Sequence, residues 1–153
     1  MPLWQIFHPE GTFTTAESKQ ALAADITALY TGFGLPAFYV VVHFVEQPVR
    51  DTFVGGRNPT GRPFVRVVIA HIAVHQDGQA AQMRRTTAAL DAVLRPHIAD
   101  KGYDWEYHVD ETPRGLWKIN GIAPPPFRSE AEKRWVELNA PVEWEEEKAE
   151  ENL

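Results

Sequence analysis

The sequence predicts an α+β fold: two tandem β-α-β units forming one four-stranded sheet, with two helices on one face and a short helix near the C-terminus. Three observations predict it. Apolar segments rich in β-branched and aromatic residues alternate with helical stripes in the order strand, helix, strand, then strand, helix, strand, and the two halves are of similar length. Capping and stop signals bracket the helical stripes. The 153 residues, 44% hydrophobic and 24% charged, suffice for one core and are too few for two domains of usual size, so residues 1–153 read as a single domain.

The first strand is Pro2-Leu-Trp-Gln-Ile-Phe-His8, closed by the turn Pro9-Glu10-Gly11. Thr14-Thr-Ala-Glu17 has capping-box spacing, so a helix is expected to start there. Its apolar stripe is Leu22, Ile26, Leu29, Tyr30 and Phe33, and Gly32, Gly34 and Pro36 stop it. Ala37 to Val45 is nearly continuous in apolarity, which suits a strand buried on both faces. Residues 49–62, rich in glycine and proline, form a long loop of the kind that is more often functional than idle.

Phe64 to Ile72 is the third strand, and His75-Gln-Asp-Gly78 turns the chain into a second helix with the stripe Met83, Leu90, Val93 or Leu94, and Ile98. Pro96 is expected to kink that helix or end it early. Asp104 to Val109 alternates, placing Trp105, Tyr107 and Val109 on one face and Glu106 and His108 on the other. Ser129-Glu-Ala-Glu132 is a second capping box, opening a helix through Trp135 and Leu138. Right-handed crossovers lay both long helices on one sheet face, which leaves the other face for an oligomer to cover.

Composition excludes several classes of function. A formal net charge of −6, concentrated in the acidic run 145–151, argues against a phosphate-binding surface and hence against nucleic acid as a partner. No cysteine means no disulfide, thiol nucleophile or thiolate metal site. The six histidines lack the spacing of ligands on one helix, so no metal is expected. No run is long enough to span a membrane and no secretory signal precedes the first strand, so the expected location is cytoplasmic.

Pro2 is the candidate for chemistry. Removing Met1 leaves a secondary amine; an α-amino group titrates at about 7.7–8.0, and burial lowers that value. The product is a general base usable near neutrality. The competing reading is an ordinary residue after a start methionine.

With a Pro2 start on this architecture, the chain resembles the tautomerase superfamily, and within it the cis-chloroacrylic acid dehalogenase group. Phe44-Val-Glu-Gln-Pro48 and Phe53-Val-Gly-Gly56 carry the likeness, with His75-Gln-Asp-Gly78 and Glu111-Thr-Pro113 in support, from Pro2 to about Gly121. Residues 122–153 are then a C-terminal extension. The resemblance implies a homotrimer and an amino-terminal proline acting without a cofactor on a small-molecule substrate. It implies Tyr107 as a second catalytic residue.

Other positions depart from the pattern. Tyr30 stands where the group has a histidine, Gln76 and Gln79 where two arginines hold a carboxylate, and Ile119 near the water-activating glutamate. A neutral amide cannot reproduce an arginine fork, so dehalogenase activity is expected to be weak or absent. Arg114, Trp117 and Lys118, which the resemblance places at the pocket wall, are the candidate replacements. Arg66 is either exposed on the sheet or turned into a cleft. Two readings follow: a tautomerase or isomerase acting on an enolisable carbonyl compound, or a trimeric binding protein on the same fold without catalysis.

Overall fold

The computed structural model describes residues 1–72 and 78–145. The elements are β1 (Pro2–Pro9), α1 (Ala16–Thr31), β2 (Val41–Gln47), β3 (Phe64–His71), α2 (Ala80–Leu94), β4 (Asp104–Glu111) and α3 (Glu130–Leu138). The sheet order is β2-β1-β3-β4. β1 runs parallel to β2, β3 parallel to β4, and the two halves meet where β1 and β3 pair antiparallel. The two central strands, β1 and β3, bury alternate residues, as a period of two requires. Trp4, Ile6, Val65, Val67 and Ile69 are fully buried on the helix side, against Leu22 and Ile26 of α1 and Leu90 and Leu94 of α2. Side chains of this size contribute about 1.5–3 kcal/mol each when withdrawn from water, so this layer holds both helices to the sheet.

The local signals hold with specific corrections. Thr15, not Thr14, caps α1: its hydroxyl accepts the Ser18 N–H at 3.1 Å from an extended backbone, so the helix begins one residue later than the box spacing predicts. Phe33 leaves the stripe and is 57% exposed, because the helix ends at Thr31 and Phe33 lies in the turn beyond it. Met83 is also exposed: the inward side of α2 runs through Gln82, Thr86, Leu90 and Leu94, and Met83 sits one residue off that line. Ala37–Tyr39 form a single 3₁₀ turn, so β2 starts only at Val41. It is a sheet edge, with no residue fully buried, rather than a strand buried on both faces.

The loop before β3 is ordered by Asn58, whose amide donates to the carbonyls of Val49, Arg50 and Thr52 at 3.1, 3.2 and 2.7 Å. Gly55 and Gly56 turn a tight hairpin at φ 57° and 79°, a conformation that costs a residue with a Cβ. Near the C-terminus, Ser129 caps α3 by accepting the Glu132 N–H at 3.1 Å. The box is only half made: Ser129 N–H goes to Pro126 O, and the Glu132 carboxylate accepts the Arg128 N–H at 2.6 Å instead. Trp135 is fully buried against Phe38 and Tyr39, and its indole N–H donates to Val142 O at 2.8 Å.

Among the described residues no helix covers the opposite sheet face. Leu3, Gln5, Phe7, Val68 and Ala70 remain half-buried there. Arg66 lies on this open face, paired with Glu106 at 2.9 Å and in contact with His108, which reaches Asp110 at 3.1 Å. Trp105 and Tyr107 point the other way; the Tyr107 hydroxyl donates to Asp91 Oδ1 of α2 at 2.9 Å. Among the described residues, no helix is long and apolar enough to cross a membrane.

Candidate active site

At one end of the sheet a cavity of about 320 Å³ opens between the start of β1, the end of β3, the last turn of α1 and the stretch of α2 from Gln82 to Leu90. Leu29, Phe33, Leu35, Ile72, Leu90 and Phe127 make its apolar wall, and Met1, Pro2, Tyr30, His71, Arg85 and Arg128 its reactive or polar one. Strand pairing positions two of these. Pro2 and His71 are directly opposite in the β1–β3 register, and the Ile72 N–H holds Met1 O at 3.2 Å. Tyr30 closes the site from α1: Trp4 Nε1 donates to its hydroxyl at 3.1 Å, and the hydroxyl lies 2.7 Å from His71 Nε2.

Burial dominates the electrostatics. It raises the Tyr30 hydroxyl well above its ordinary range, opposed only by the Trp4 donor. It pushes His71 down from 6.5 to about 4, helped by the nearby amino terminus and opposed by Glu111. The amino group of Met1 falls from 8.0 to about 4, first through burial, then through the Arg114 guanidinium, with the Glu132 carboxylate pulling the other way. Glu132 is 1% exposed, and burial raises its own carboxyl. This end of the chain therefore holds nitrogen groups neutral at physiological pH, which is what a base requires.

Of the residues singled out from sequence, Pro2 and Tyr30 line this cavity. Arg114 does not, but acts on the amino terminus through its charge while donating to Pro124 O at 2.9 Å. Trp117 is a core residue, its ring 4.8 Å from that of Tyr39, because the 3₁₀ turn Arg114–Leu116 directs it inward. Lys118 is exposed, and so is Gln79, at the N-cap of α2. Gln76 and the His75–Asp77 part of the turn lie outside the described residues. Within one chain Tyr107 is not brought to Pro2; its hydroxyl is spent on α2.

Sequence reasoning missed His71, Arg85, Phe127 and Arg128. A signal existed for His71 alone: it is the last inward position of a strand whose other inward residues, Val65, Val67 and Ile69, are aliphatic.

A family described as "Putative oxalocrotonate tautomerase enzyme" matches residues 1–140. The chain belongs to this tautomerase family. It is similar to a structure described as a probable enzyme from the thermophilic fungus Aspergillus fumigatus, at 49% identity over 94% of this chain and 98% of that one, with a TM-score of 0.85. It is similar also to native RhCC from Rhodococcus jostii RHA1, at 39% identity over 93% and 99%, TM-score 0.87. N1, a member of the cis-3-chloroacrylic acid dehalogenase family, shares the fold at 20% identity over 87% and 89%, TM-score 0.63. A fused 4-OT described as a symmetric trimer does so at 20% over 79% and 94%, TM-score 0.61. No curated protein matches. The tautomerase fold read from Pro2 and the paired β-α-β units is thus the fold of this chain, and family membership supports enzymatic activity in general.

Proposed function

We propose that this tautomerase-family chain is a cofactor-independent tautomerase in which Pro2, freed by removal of Met1, is the general base for an enolisable carbonyl compound. The observation that carries this reading is the place of Pro2: buried at the head of a central strand, on the wall of the cavity, where the surroundings depress the basicity of an amino group. In enolisation the neutral nitrogen takes a proton from the carbon next to the carbonyl. The C–H electron pair becomes the C=C bond, the carbonyl π pair moves to oxygen, and that oxygen then takes a proton. Ketonisation is the reverse.

The cavity favours a substrate with an apolar body and one carboxylate. Its interior is largely aliphatic and aromatic, and Arg85 and Arg128 supply positive charge at its wall. The Arg128 guanidinium sits 4.9 Å over the Phe127 ring, and the backbone N–H of Arg128 donates to the Glu132 carboxylate, which fixes the main chain at this position. A 2-oxo acid bearing an aromatic side chain fits this chemistry. The uncovered sheet face favours assembly as a homotrimer, the state in which the fused 4-OT is described. The expected setting is the cytoplasm.

Ketonisation of phenylenolpyruvate, with intact mass measured on the same sample, tests the reading. The processed chain should catalyse it, and a Met1-retaining form, whose Pro2 nitrogen is an amide, should not. Equal rates from the two forms would make Pro2 structural and favour the binding-protein reading. Light scattering checks the trimer; a monodisperse species of chain mass 17.3 kDa would exclude it.

A further inference from the structure

We infer that Phe33 and Phe127, two aromatic rings at the rim of the cavity, select the substrate by packing on an aromatic group carried by its reacting carbon; this rests on the tautomerase reading above. The cavity is graded in depth. Pro2, Tyr30, Leu35 and Leu90 are buried and form its floor, whereas Phe33, Arg85, Phe127 and Arg128 line the same hollow and remain exposed. Phe33 is 57% exposed and Phe127 39%. Folding leaves both rings open to solvent beside one cavity, which is the mark of a surface kept for a ligand.

Both rings are mounted on closed turns. The Phe33 N–H donates to Tyr30 O at 3.0 Å, in a turn that Gly34 completes at φ 88°. Phe127 lies between Pro126, whose carbonyl accepts the Ser129 N–H at 3.0 Å, and Arg128, held at φ 63° with its backbone N–H on Glu132. Rings fixed before the ligand arrives lose little freedom on binding it. The charges give the substrate its direction. Among the described residues neither Arg85 nor Arg128 makes an ion pair, so a carboxylate is drawn to the rim while Pro2 meets the reacting carbon at the floor. In a 2-oxo acid with an aryl group on the reacting carbon, the carboxylate and the ring diverge from that part of the molecule. Both then reach back to the rim, the carboxylate to the arginines and the ring to Phe33 and Phe127. An aliphatic 2-oxo acid has the same charge and leaves the two rings uncovered.

Two comparisons test this on the processed, full-length chain. Proton–deuterium exchange at the carbon next to the carbonyl, followed by NMR in heavy water, gives kcat/KM for phenylpyruvate and for 2-oxobutanoate. Phe33→Ala and Phe127→Ala should each lower the phenylpyruvate-to-2-oxobutanoate ratio by roughly three- to tenfold, the worth of one aromatic contact. Phe127→Tyr, which keeps the ring, should retain the preference, and Arg85→Ala should weaken both substrates together, which separates charge from ring. Calorimetric binding of cinnamate against crotonate, two acids that differ by phenyl for methyl and undergo no exchange, should show the same loss of preference. Circular dichroism confirms that each variant is folded. Wild-type ratios in both alanine variants overturn the inference, and so does a changed oligomer by light scattering with the ratios intact, which would make the rim an interface between copies. A wild type with no exchange activity overturns the Pro2 reading instead, and the cinnamate and crotonate affinities then decide the role of the rim alone.

Discussion

Trp135→Ala should destabilise the chain and open the site together, although Trp135 does not line the cavity. The side chain is fully buried, packed against Phe38 and Tyr39, and donates to Val142 O at 2.8 Å. Truncating such a Trp to Ala costs about 3–5 kcal/mol, cavity and lost bond included, against a total stability of roughly 5–15 kcal/mol for a domain. Trp135→Phe keeps most of the packing and loses the hydrogen bond, a cost of about 1 kcal/mol. The functional effect follows from α3: its Glu132 holds the Arg128 N–H, and Phe127 and Arg128 form one wall of the cavity. Urea denaturation gives the stability, and kcat/KM for phenylenolpyruvate, measured where the variant is still folded, gives the function. An unchanged urea midpoint in Trp135→Ala would place α3 outside the cooperative core. A lowered midpoint with unchanged kcat/KM would refute the link from α3 to the cavity wall.

Burial lowers His71 from 6.5 to about 4, so the unfolded chain binds the extra proton between those values. This contribution is therefore complete above about pH 6.5 and is lost as pH falls toward 4; it amounts to at most about 3 kcal/mol. The urea midpoint should fall on acidification, and His71→Asn should flatten that dependence; identical slopes in both proteins would contradict the assignment. In the Met1-retaining form Glu132→Gln removes the charge that raises the terminal amine, so that amine should titrate at lower pH, as read from an NMR pH titration, and an unmoved titration would show that the carboxylate does not act on it. Arg128→Ala should raise KM for an anionic 2-oxo acid far more than it lowers kcat, and a change confined to kcat would argue against a binding role. Release of chloride from cis-3-chloroacrylate should be slow or absent, since Gln76 and Gln79 stand where the resemblance places two arginines; fast release would overturn that correspondence.

The strands and helices were legible because their signals are local. The alternation in β4, the stripe Leu22–Ile26–Tyr30 and the proline after α2 each act within a few residues. Errors arose where tertiary placement decides: β2 reads as a buried strand, and only the sheet order makes it an edge. In the site, Pro2 and Tyr30 were legible from chemistry and resemblance. His71 showed only as a polar residue ending an aliphatic strand face, because its meaning lies in the cross-strand register with Pro2, and register across 69 residues has no local signature. Arg128 is more hidden still. It holds φ 63°, which sequence does not announce for an arginine, and it sits in the turn before α3, outside the resemblance. Trp117 and Lys118 do not line the cavity within one chain, since nearness in sequence to the pocket says nothing of which way a short turn points its side chains.

The antiparallel meeting of β1 and β3 gives the sheet two similar ends. Pro63 precedes β3 as Pro2 begins β1, two residues before the first fully buried valine as Pro2 is two before the buried Trp4. It borders a second hollow of about 310 Å³, lined by Pro9, Glu10, Arg62 and Phe64 among others. The fold thus offers two proline-headed strands, and covalent connectivity alone separates them, because the Pro63 nitrogen is locked in the amide with Arg62. Where the chain is cut, rather than how it is packed, decides which end can hold a basic nitrogen. A circular permutant starting at Pro63 would carry its amine at the opposite pole and leave the Pro2 nitrogen an inert tertiary amide.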